Sequence, residues 1–192
     1  MTATVPAGRA ADHFDYLEDP TPDTAQAAVL EAWAAEVRSA TFQLLAQKSA
    51  VDSPDQAPQY RARLEGTLAA RTVMLRALVH GAPAEIPTAV LADAREALAA
   101  VSAEDEPGPS RTLSLWNDAV SEQTHRLASV MAELADARTA SPDWQSTCRD
   151  FVAIEIASLI GLLVAAPAGV FVREAGAVLT EARGALAESG VA

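Results

Sequence analysis

The stretch from Phe151 to Val172, FVAIEIASLIGLLVAAPAGVFV, constrains this chain more than any other part of it. It comes close to the roughly twenty apolar residues that a bilayer span requires, so it belongs either in lipid or in the middle of a protein core. Glu155 lies within its first turns, and a carboxylate in hydrocarbon costs about 2.5–3.5 kcal/mol on insertion scales. Pro167 and Gly169 then interrupt the run as the end of a helix would. Arg149-Asp150 and Arg173-Glu174 flank it without charge asymmetry. The expectation is a buried central helix and no membrane partner. A helix that is apolar nearly all round needs amphipathic neighbours on every side.

Those neighbours are written into the rest of the chain as helical stripes separated by prolines. Asp23 or Thr24 is placed to cap a first helix running to about Ala50, with Val29, Trp33, Val37, Leu44 and Leu45 at three- and four-residue spacing. A second helix is predicted over 59–80, with Leu64, Leu68, Leu75 and Leu78 on one face and Gly81 as its left-handed terminator. Pro87 suits the first turn of a third, reaching about Val101. Ser110 is read as the cap of a fourth, to about Arg138, with Trp116, Val120, Leu127 and Leu134 inward. Ser141-Pro142-Asp143 opens the fifth, a cap followed by proline at the first helical position. A looser sixth after Pro167 carries Val170, Phe171, Val178, Leu179 and Leu186. Period-two alternation is missing, so no strand is predicted. The fold class expected is all-α, a single antiparallel bundle of five or six helices with the apolar fifth in the middle. Residues 1–22 form a tail ahead of a bundle domain over 23–192, and the Pro/Gly-rich stretch 104–109 is a candidate hinge.

Charge narrows the function classes. Fourteen basic and twenty-six acidic side chains give a net charge of −12, which argues against a nucleic-acid partner or an anionic membrane surface, since either needs a positive patch. Arg61, Arg63, Arg71 and Arg76 of the second helix are spread around its circumference and make no phosphate-reading edge. Lys48 is the only lysine, and the excess of Arg and Ala fits a high-GC bacterial genome. Cys148 is the only cysteine, so no internal disulfide or thiolate metal cluster can form. The start of the chain lacks the basic and apolar regions of a signal peptide, and a cytoplasmic location is expected.

Few positions invite chemistry. Glu122 and His125 form one Glu-x-x-His pair, the spacing by which di-iron bundles hold metal, but His13 and His80 have no glutamate three residues earlier, so the second copy such a site needs is missing. No metal and no cofactor are expected. His80, at a helix C-terminus, is read as a favourable charge at the negative end of the helix dipole. Nucleophile elbows and phosphate-cradling glycine loops do not occur, and no catalytic residues are assigned. Two charges interrupt apolar stripes: Glu155 falls in line with Cys148, Phe151, Leu159 and Leu162, and Arg71 with Leu64, Leu68, Leu75 and Leu78. A buried charge needs a partner, and the two are expected to form a buried ion pair, Arg71 with Glu155. The alternative is an apolar ligand cavity formed by Trp116, Trp144, Phe151 and Glu155. In the tail, Phe14, Tyr16 and Leu17 among acidic residues have the chemistry of a docking segment.

The function expected from these features is a non-catalytic interaction or adaptor protein. It would be an accessory small subunit working with a protein partner, a larger bacterial effector or a signalling or defence assembly. A ligand-binding sensor bundle is the alternative.

Overall fold

The structure is a computed structural model and describes residues 23–54, 57–101 and 108–189. These form six α-helices and, among the described residues, no strand: α1 (Asp23–Asp52), α2 (Pro58–His80), α3 (Thr88–Ala99), α4 (Pro109–Asp136), α5 (Pro142–Val164) and α6 (Arg173–Ser189), with a 3-10 turn at Ala137–Thr139 between α4 and α5. The tail with Phe14, Tyr16 and Leu17 and most of the 104–109 stretch lie outside the described residues.

The all-α expectation is met, and the apolar fifth helix is the one with most cover. From Ile156 to Leu163 every residue of α5 is buried. The helix packs against α1, α2, α4 and α6, while α3 lies on α1 and α2. Among the described residues, no helix is long and apolar enough to cross a membrane. The start of α5 follows its sequence signals: Ser141 is extended, and its hydroxyl accepts from the Trp144 backbone N–H at 3.4 Å, with Pro142 at the first helical position.

Other boundaries differ from the sequence expectation for physical reasons. Ser110 lies inside α4, which begins at Pro109, and no side chain caps that helix. Val170 and Phe171 precede α6 in a turn where Gly169, at φ +102, is the only described residue with positive φ. The Phe171 N–H donates to Asn117 Oδ1 at 3.0 Å, fastening that turn to α4.

Gly81 is the most informative difference. Its φ of −85 is not left-handed, so its lack of a side chain serves space and not backbone freedom. A Cβ there would lie 3.1 Å from the Gly161 Cα, and a Cβ on Gly161 would lie 3.3 Å from both the Ala77 carbonyl oxygen and the Leu78 Cα. Two glycines far apart in sequence thus let the end of α2 touch the backbone of α5. At the same junction Trp33 of α1, fully buried, donates its indole N–H to the Leu78 carbonyl at 3.0 Å, satisfying a carbonyl in the last turn of α2.

Gly161→Val presses a branched side chain on the α2 backbone and destabilises the chain by about 1–3 kcal/mol. Gly184, with open space where its Cβ would be, gives the opposite result: Gly184→Ala stabilises by about 0.5–1 kcal/mol through helix propensity. Urea denaturation of the two variants measures both. A Gly161→Val chain as stable as its parent would mean that the α2–α5 approach is loose.

Candidate functional site

Where the first helical pair meets α4 and α5, the apolar core gives way to a polar cavity of about 250 Å³. α5 supplies Glu155 and Ser158, α1 supplies Glu36 and Gln43, α2 supplies Arg71, and α4 supplies Gln123 and Arg126. Glu155 faces it because it continues the stripe of Cys148 and Leu162, one helical face of α5. Gln123 arrives by the same logic, lying between Val120 and Leu127 on the inward stripe of α4, and is itself buried.

Glu155 is well partnered. Gln123 donates its side-chain amide both to the Glu155 carboxylate and, at 3.4 Å, to the Glu155 backbone carbonyl. Arg126 approaches the other carboxylate oxygen at 3.5 Å from the solvent side. Arg71 is not its ion-pair partner: the Arg71 guanidinium donates to Gln43 Oε1 at 2.7 Å. The expected Arg71–Glu155 pair is therefore replaced by two separate interactions across one cavity. Both charges line the same cavity, but α4, not α2, presents a cation to the carboxylate.

Glu36 carries the electrostatic strain of the site. Burial, together with the Glu155 carboxylate, holds its carboxyl above the usual glutamate range, and Arg126 opposes this only in part. Sequence reasoning missed Glu36, Gln43, Gln123, Arg126 and Ser158. Gln123 was detectable as a polar interruption of an apolar stripe. Glu36 was not, since it lies at the edge of the α1 stripe, where a charge ordinarily reaches water.

The expected apolar cavity is not assembled. Trp116 is buried in the core, Glu155 lines the polar cavity, and Trp144 and Phe151 are exposed, at 46% and 43%. A different cavity of about 570 Å³, lined in part by Leu30, Trp33, His80, Pro83, Val164 and Leu186, lies where α1 begins and α2 and α5 end, and none of the four expected residues lines it. Among the described residues no group of three or more His, Cys, Asp or Glu side chains could hold a metal ion. His125 is exposed, with Nδ1 2.7 Å from the Ser121 carbonyl. Comparison of the chain with protein-family models, with curated proteins and with solved structures finds no match.

Two measurements check this geometry. Because the folded state holds the Glu36 proton more tightly than the unfolded state, stability falls as pH rises upward from the ordinary glutamate range, and the loss persists at neutral pH. Glu36→Gln therefore raises the thermal midpoint at neutral pH, and the gain shrinks below about pH 4; a gain independent of pH would contradict the assignment. Separately, a double-mutant cycle on Arg126→Met and Glu155→Gln gives a coupling of about 0.5–3 kcal/mol, larger than the cycle on Arg71→Met and Glu155→Gln. The reverse order would restore Arg71 as the partner.

Proposed function

We propose that the chain is a non-catalytic helical interaction protein, an accessory adaptor that works beside a larger protein partner in the bacterial cytoplasm, its helices packed as an antiparallel bundle around α5. The supporting observation is the pair Trp144 and Phe151. Seven residues apart, they share one stripe of α5, and both rings are nearly half in water in the first half of the helix whose later turns are best covered. Large aromatic side chains anchor protein interfaces, where a few of them dominate the binding energy. Withdrawing the exposed half of each ring corresponds to about 2–3 kcal/mol per residue at roughly 25 cal/mol per Å².

A photo-crosslinking residue at position 144, introduced in the native host, gives one discrete protein adduct, whereas the same residue in place of the exposed Ser129 of α4 gives none. Phe151→Ser suppresses the adduct at least tenfold. No adduct at position 144, or the same adducts at both positions, overturns the reading.

A second reading, a ligand-binding bundle, is favoured by one observation: the polar cavity gathers two carboxylates and two guanidinium groups from four different helices. That is more polar chemistry than holding two helices in register requires.

A further inference from the structure

We propose that the cavity between α1, α2, α4 and α5 binds one small zwitterion of the α-amino-acid class, its ammonium held by Glu36 and its carboxylate by Arg71. The proposal rests on the ligand-binding reading above and names the ligand class of that site.

The charges in the cavity are balanced in number but not in pairing. Glu155 has Arg126 and Gln123. Arg71 donates to the neutral amide oxygen of Gln43 and, among the described residues, meets no carboxylate within ion-pair reach. Glu36 faces the same space and, among the described residues, neither accepts a hydrogen bond nor forms an ion pair. One carboxylate and one guanidinium are left for a ligand to complete. A simple amine or a simple anion would pair one of them and leave the site with a net charge half out of water, which is costly. A molecule carrying both charges pairs each and leaves the sum at zero.

Ser158 points independently to a ligand. It is 3% exposed and has no hydrogen-bond partner among the described residues. Thr72 and Thr124, the buried threonines, each bond back to the carbonyl four residues earlier, at 2.8 and 2.7 Å, whereas the Ser158 hydroxyl does not. Among the described residues no fully enclosed side-chain nitrogen or oxygen lacks a partner, so the Ser158 Oγ keeps its access through the cavity it lines. A hydroxyl held there can donate to a ligand carboxylate or accept from a ligand ammonium. The volume of about 250 Å³ suits a single amino acid with a few waters and is too small for a nucleotide or a peptide.

Isothermal titration of the full chain with each of the standard L-amino acids tests the assignment. Each is paired with its decarboxylated amine and its deaminated acid, and inorganic phosphate serves as an anion control. At least one amino acid binds with a Kd below about 1 mM, and its amine and its acid bind at least tenfold more weakly. Glu36→Gln and Arg71→Gln each weaken binding at least tenfold. Ser158→Ala, which strands no charge, also weakens it and serves if Arg71→Gln does not fold. An amine or an acid binding as tightly as the amino acid overturns the zwitterion assignment and leaves the ligand-binding reading standing, as does undiminished binding by Glu36→Gln. Failure of every compound in the panel overturns both.

Discussion

Everything in this structure depends on covering α5, and the tightest constraint on that cover is the backbone contact at Gly81 and Gly161. A helix buried on every side from Ile156 to Leu163 needs neighbours that approach closely without voids, because unfilled space in a core is costly. A glycine on each side, Gly81 at the end of α2 and Gly161 in α5, brings the two backbones together. The indole of Trp33 then ties α1 to the same point by donating to the Leu78 carbonyl. Three helices from distant parts of the sequence are thus referenced to one junction.

One helical turn and a half along α5 from that junction, the interface changes character. Glu155 replaces an apolar residue on a face that continues above and below it as core, and the neighbouring helices answer with Gln123, Arg126, Arg71 and Gln43. Such a cluster is a poor source of stability, since the nearly buried Glu155 is desolvated while its partner Arg126 stays largely in water. Glu36 makes the balance worse, as its perturbed carboxyl shows. Stability alone is therefore a weak reason for these groups to sit together.

Much of the architecture was legible because it is carried by patterns local in sequence. The Ser141-Pro142 start, the all-round apolar character of α5, and the stripes of α2 and α4 each rest on a few neighbouring residues, and the helices form where those patterns lie. What could not be read locally depends on which helix meets which. Gly81 does end α2, but without a left-handed backbone, and the neighbour that explains its missing side chain, Gly161, is eighty residues away. Arg71 and Glu155 interrupt apolar stripes and line one cavity, yet their partners come from helix faces that periodicity could not pair. Trp144 and Phe151 read as apolar and therefore as cavity walls, but no periodicity tells that both flank the buried Cys148 while remaining nearly half exposed.

The position of Cys148 gives the chain a built-in reporter. It is the only thiol in the sequence, fully buried on α5, and burial pushes the thiol pKa up, which further suppresses the reactive thiolate. A thiol reagent can reach it only when helices separate from α5. The rate at which an untouched, unlabelled chain takes up such a reagent therefore clocks the opening of the core itself, with no engineered probe and no second cysteine to confuse the signal.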